Sequence, residues 1–284
     1  MHILQAQQHI LQASDRQNTS GIPLPSSSNS TDYIILVAGG LEHIAIPYIE
    51  KRLNTTVRRV CHPPASAQWS KPPPNPPDRL FPGDAGVAKL HISLPTPTTR
   101  KSWLGQHVAI ASLQCTMGVL APLALVSDVD GLQQIEDIAA ELRDAAWNAA
   151  MRTWARCRID PLEDNNNQPP PRFRASAVRD GKHSFESPQV AEAVGAAIWR
   201  TRGLQVDLSH YELEVVAIVL QGELCLGINL WRGSNKHFRA HIGPEPRPLL
   251  PHSNTPCHLR PSIAWLLIEL AGVKDGDVVL DPFC

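Results

Sequence analysis

Pro63, Pro64, Pro72, Pro73, Pro74, Pro76, Pro77 and Pro82 crowd the stretch from 61 to 85, and neither a helix nor a paired strand passes through such a run. It reads as an insertion or spacer, with a ligand for a proline-binding partner as the other reading. A second break, Asp160-Pro-Leu-Glu-Asp-Asn-Asn-Asn-Gln-Pro-Pro-Pro171, is a loop by composition. Residues 1–30 are rich in Gln, Ser and Asn and are expected to be a disordered tail, too poor in arginine for a mitochondrial presequence. The breaks leave 31–160 as one module carrying the 61–85 insertion, then a linker at 161–171.

Within the first module, Tyr33-Ile-Ile-Leu-Val-Ala38 reads as a buried strand. Gly39-Gly40 reads as a turn and Leu41–Leu53 as a helix whose first turns Pro47 should disturb. Gly86–Leu94 alternates Lys89, His91 and Ser93 against Leu90, Ile92 and Leu94, the period of a half-buried strand. Further strand patterns lie within His107–Leu113 and Leu120–Val126. From Leu132 to about Arg158 runs the longest helical pattern, acidic early and basic late, as a helix dipole favours. The interleaving predicts an α+β ferredoxin-like module.

After the second break, Phe173, Ala175 and Ala177 alternate with Arg172, Arg174 and Ser176, a strand with one basic face. Ser187 reads as an N-cap and Pro188 as a first-turn proline, opening a helix that buries Val190, Ala193, Val194, Ala197 and Ile198 and ends at Gly203. Glu212–Leu220 and Leu224–Leu230 flank a Gln-Gly-Glu turn as a hairpin. Near the end, Pro261 opens a helix with Ile263, Leu266, Leu267 and Leu270 at helical spacing and Gly272 as its C-cap. Val278-Val279-Leu280 then reads as a short strand ending at Asp281.

Two parts of this pattern resemble known families. Phe173-Arg-Ala-Ser-Ala-Val-Arg-Asp-Gly-Lys-His-Ser-Phe185, Leu204-Gln-Val-Asp-Leu208, Glu212-Leu-Glu-Val-Val216 and Leu226-Gly-Ile228 look like a THUMP domain, with its core at 172–232. His258-Leu-Arg-Pro261 and Asp281-Pro-Phe-Cys284 resemble the entry to S-adenosylmethionine-dependent methyltransferases that modify RNA guanosine. Together they resemble the THUMP-containing tRNA guanosine N2-methyltransferases, weakly before 170 and well after it.

That resemblance implies a ferredoxin-like module, a THUMP α/β module, a basic linker at 233–257 and, at 258–284, the first helix and strand of a Rossmann-like methyltransferase domain. It implies tRNA as partner, through the acceptor-stem region, and S-adenosyl-L-methionine as cofactor in the full-length family. A small activator subunit is a further implied partner, and the cytoplasm is the implied location. Arg260, Asp281, Pro282, Phe283 and Cys284 match part of the cofactor site. The glycine loop and the Asn/Asp-Pro-Pro-aromatic motif of the family can be assigned to no residue of the chain. The expectation is therefore an RNA-binding part, inactive alone, with no catalytic residue named. A stand-alone THUMP adaptor, or the THUMP module of another tRNA-modifying enzyme such as a thiolation enzyme, stays open as the alternative.

The formal net charge of −1 excludes a polycationic chain, so any nucleic-acid surface is local. Arg172, Arg174, Arg179, Lys182 and His183 lie on or beside one strand and its turn and are candidates for phosphate contact. Arg232, Lys236 and Arg239, interleaved with Trp231 and Phe238, are candidates in the loop after the hairpin. A solvated strand face and plain linker basicity remain open for these two groups. Asp207 reads as a corner residue bonding local N–H groups. Six cysteines without a Cys-x-x-Cys pair read as reduced thiols. His237, His241, His252 and His258 lack a partner at ligand spacing, so no metal is expected. No run approaches the roughly 18 apolar residues of a membrane span, and a DNA or membrane role has no support.

Overall fold

A computed structural model describes residues 29–61, 87–157, 170–180, 183–220, 222–230 and 261–280. Residues 1–28 of the expected tail and most of both proline-rich segments lie outside them, while Ser30, placed in the tail by its composition, is the first residue of a strand. The strands are β1 Ser30–Ala38, β2 Val57–Cys61, β3 Val87–Pro95, β4 Thr116–Val126, β5 Phe173–Asp180, β6 Leu213–Leu220 and β7 Glu223–Asn229. The helices are α1 Glu42–Leu53, α2 Arg100–Ala111, α3 Leu132–Ala140, α4 Asp144–Cys157, α5 Ser187–Arg202 and α6 Pro261–Ala271. The architecture is α+β, with one sheet in the order β2-β3-β1-β4-β7-β6-β5. It is mixed: β1–β3, β2–β3 and β1–β4 are antiparallel, and β5–β6 is parallel. None of the described helices is long and apolar enough to cross a membrane.

The chain divides into two compact units, one centred on β1 and β3, the other on β5 and β6. In the first, α1 runs through Pro47, where disturbance was expected, and ends on Asn54 in the left-handed region (φ 48°), a conformation asparagine tolerates. Glu50 fixes the next segment: its Oε1 accepts from the N–H of Val57 at 2.9 Å and starts β2. The expected strand at His107–Leu113 is instead the end of α2. Thr99 Oγ1 accepts from the Ser102 N–H, and Ser102 Oγ from the Thr99 N–H, so a capping box opens the helix. Trp103 and Ile110, seven apart, are buried while Val108 is exposed, which is a helical stripe.

β3 is buried on both faces rather than one. The register sets Lys89 opposite Leu36, His91 opposite Ile34 and Ser93 opposite Asp32, and Lys89 and His91 are nearly inaccessible. Burial also pushes the Cys115 thiol up to about 12, so it stays protonated.

Helix α6 belongs to this first unit. Its Trp265 ring lies 4.3 Å from Tyr48 on α1, Ser262 and Leu266 are buried, and Gly272 (φ +66°) caps it as expected. Leu267, Ile268 and Leu270 face outward. The expected strand Val278–Leu280 does not form: these residues are exposed, and no described strand pairs with them. A strand without a neighbour leaves its backbone groups to water.

In the second unit the expected single helix from Leu132 is two, α3 and α4, broken at Glu141-Leu142-Arg143. Arg202, in the last turn of α5, accounts for the break. Its guanidinium donates to the carbonyl of Leu142 and to Asp144, and lies 5.3 Å over the Trp147 ring. Helix α5 buries the stripe read from the sequence and ends on Gly203 (φ +67°), but its N-cap is Glu186, one residue before Ser187. The Glu186 N–H donates to Gln189 Oε1 at 2.7 Å. Gly195 of α5 faces Ala175 of β5, and a Cβ built there would meet that of Ala175 at 3.5 Å, an ordinary contact distance.

Candidate nucleic-acid interface

Side chains alternate along β5, so Arg172 and Arg174 belong to one face and Arg179 to the other. At about 3.3 Å per residue, Arg172 and Arg179 are also roughly 23 Å apart. The single basic face read from the sequence therefore divides. Arg174 stands opposite Glu214 in the β5–β6 register, and its guanidinium lies 5.4 Å over the Tyr211 ring. His183 stacks on Phe185 with ring centroids 5.1 Å apart. Lys182, Arg232, Lys236, Arg239, Arg260, Asp281, Pro282, Phe283 and Cys284 lie outside the described residues.

Among the described residues, the arginine–carboxylate pairs of Arg172, Arg179, Arg200 and Arg202 sort by which partner faces water. Arg179 and Arg202 are the inner partners: their side chains are 21% and 16% exposed, against 72% for Glu186 and 82% for Asp144. Arg172 and Arg200 are the outer partners, 47% and 53% exposed, over Asp207 at 21% and Glu136 at 25%. A guanidinium has five donors in a planar fork. An inner arginine uses them to join elements, as Arg202 does. An outer one is aimed by the carboxylate behind it and presents its remaining donors outward, a form suited to phosphate.

Asp207 does what its corner position implied. Its Oδ1 accepts from the N–H of His210 at 2.7 Å and of Ser209 at 2.9 Å, and its Oδ2 accepts from Arg172 at 3.0 Å. The two backbone N–H groups, and to a lesser degree Arg172, hold its carboxyl below the usual range. The support it gives the loop is present above the unfolded carboxylate pKa and fades as pH falls through the lowered native one. The same loop pairs with β5: the Phe173 N–H donates to Gln205, and the Asp207 N–H donates to the Phe173 carbonyl.

Sequence reasoning did not single out Arg200. It sits in the Trp-Arg-Thr-Arg run before Gly203, which reads as ordinary dipole complementation, and the Glu136 that aims it is 64 positions away. The sorting has a direct test. Arg202→Ala strips the Leu142 carbonyl of its donor and is expected to lower stability by about 1–3 kcal/mol in urea unfolding, with any nucleic-acid affinity of the folded protein unchanged. Arg172→Ala should leave the unfolding midpoint nearly in place. A reversed pattern would undo the division into inner and outer arginines.

The THUMP domain family model matches residues 132–229, from the first residue of α3 to the last of β7. A tRNA (guanine(6)-N2)-methyltransferase of Thermus thermophilus is 37% identical over 112 residues, 39% of this chain and 30% of that protein. A tRNA (guanine(10)-N2)-dimethyltransferase of Methanothermobacter thermautotrophicus is 31% identical over 99 residues, 35% of this chain and 28% of that protein. A U6 snRNA (guanine-N(2))-methyltransferase of Homo sapiens is 31% identical over 114 residues, 39% of this chain and 20% of that protein. The matched part thus spans less than a third of each of these relatives.

Proposed function

We propose that the chain, whose residues 132–229 match the THUMP domain family and which is similar to tRNA guanine-N2 methyltransferases, is the tRNA-binding part of such an enzyme. The observation that carries the reading is the outward pair Arg172 and Arg200, each aimed by a less exposed carboxylate. Phosphate contact by such groups supplies affinity without reading sequence. The acceptor-stem region of tRNA is the surface the family resemblance points to. When bound, S-adenosylmethionine would supply the methyl group. The residues that resemblance assigns to it lie outside the described ones, so this reading concerns RNA binding by the described units.

Titration of labelled tRNA at several salt concentrations tests it. The logarithm of the affinity should fall linearly with that of salt, and Arg172→Gln with Arg200→Gln should reduce the slope by about 1 for each phosphate that loses its arginine. Affinity that ignores salt, or a slope the double variant leaves intact, would remove Arg172 and Arg200 from the interface. A second reading, another structured RNA as ligand, is favoured by the human relative named for U6 snRNA. Competition between the two RNAs at equal salt separates them.

A further inference from the structure

We infer that Ser209 is a phosphorylation site, and that the phosphate placed there takes the Arg172 guanidinium away from RNA. This rests on the RNA-binding reading and adds a means of regulating the same arginine.

Arg172 has a fixed backbone and a movable side chain. Its N–H donates to Glu212 Oε2 at 3.2 Å, and its carbonyl accepts from the N–H groups of Glu212 and Leu213. Its guanidinium donates to Asp207 Oδ2 at 3.0 Å, whereas Oδ1 of the same carboxylate takes the N–H groups of Ser209 and His210. Arg172 can therefore leave Asp207 while the backbone bonds of the corner stay in place. The guanidinium and the Ser209 backbone are only one carboxyl group apart, so rotation about the serine side chain is enough to bring a phosphate on its Oγ to Arg172. A phosphate offers the planar fork more acceptors than the single carboxylate oxygen it now holds.

The surroundings of Ser209 suit a protein kinase that selects acidic sequence. Leu208, Ser209 and His210 are exposed in a segment without regular structure, Glu212 stands exposed three positions after the serine, and no lysine or arginine lies between Arg202 and Arg232. In the transfer, Ser209 Oγ forms a bond to the γ-phosphorus of ATP as the bond to ADP breaks, and the hydroxyl proton passes to the base of the kinase. The product adds about −1.5 to −2 charges beside Asp207 and Glu212. Arg172 paired with that phosphate no longer offers its donors outward, and the added charge repels a polyanion. Both effects weaken RNA binding.

The test begins with the folded chain, casein kinase II and ATP, and mass spectrometry maps the modified position. Phosphate is expected on Ser209, and the same peptide of Ser209→Ala should carry none; a wild type left unmodified at Ser209 overturns the site. The phosphorus NMR signal of the modified chain is then followed with pH. A phosphoserine ordinarily loses its second proton at about pH 6, and pairing with Arg172 should lower that midpoint in wild type relative to Arg172→Gln. Equal midpoints would mean that the phosphate does not reach Arg172. On labelled tRNA, phosphorylation should lower affinity and reduce the salt slope by about 1, and Arg172→Gln should weaken the unmodified chain but not the phosphorylated one. Affinity untouched by the phosphate, or an equal effect of Arg172→Gln on both forms, overturns the regulation. If unmodified wild type binds no tRNA at any salt, the RNA-binding reading fails, while the mapping and the NMR midpoints still decide whether Ser209 is modified and holds Arg172.

Discussion

Phe173→Ala is expected to lower the unfolding free energy by about 3–5 kcal/mol, the range for deleting a buried aromatic ring. Phe173 is fully buried and is the first residue of β5. It stands opposite Leu213 in the parallel ladder, and on its other side its N–H and carbonyl hold Gln205 and Asp207. Loss of the ring opens a cavity at the point where β6, β5 and the 205–207 loop converge. Against a typical stability of about 5–15 kcal/mol the change decides whether a marginal domain folds at all. Phe173→Leu, closer in volume and still apolar, should cost much less. Urea unfolding of both variants checks the size. A Phe173→Ala midpoint close to wild type would mean that the ring is not what holds this end of the sheet.

The second large effect concerns α6 and the residues after it. Outward-facing Leu267, Ile268 and Leu270 are followed by Gly272 and then by a turn in which the Asp277 N–H donates to the Lys274 carbonyl. Val278, 99% exposed, starts the apolar triplet beyond that turn. Amides of 272–280 are expected to exchange with solvent far faster than those of β5 and β6. Val278 to Leu280 are exposed and paired with no described strand, so their amides have no ladder to slow exchange. Protection of 272–280 equal to that of β5 would mean that this segment is covered in solution.

Most elements were legible because their burial follows one period. Val190 to Ile198 repeats at helical spacing, and α5 buries that stripe. The hairpin of β6 and β7 was equally plain, two apolar runs about a glycine turn. Failures came where a local signal had two meanings. Val108 and Ile110 look like a strand by alternation and branching, but the Thr99–Ser102 capping box starts a helix that runs through them. Val57–Cys61, with two adjacent arginines, was too short to read as a strand, and it pairs only with β3.

The break between α3 and α4 has no proline or glycine to announce it, since Arg202, sixty positions later, occupies it. The same distance hid the outward setting of Arg200. Arg172 and Arg179 are equal as letters, and only the exposure of their partners separates a displayed guanidinium from a structural one.

The pairing of Glu136 with Arg200 joins positions 64 apart in the chain, and it has a consequence for synthesis on the ribosome. At about 5–20 residues per second, α3 emerges roughly 3–13 s before the helix it packs against. Throughout that wait Ile135 and Ala139, buried in the finished unit, have no cover from α5. β5 waits likewise for β6, whose partner residues come 40 positions later, so neither the α3–α5 packing nor the β5–β6 ladder can close as its first element leaves the tunnel. A nascent chain stalled near residue 185 would present a helix with a bare apolar stripe and an unpaired strand together, the state that chaperones bind.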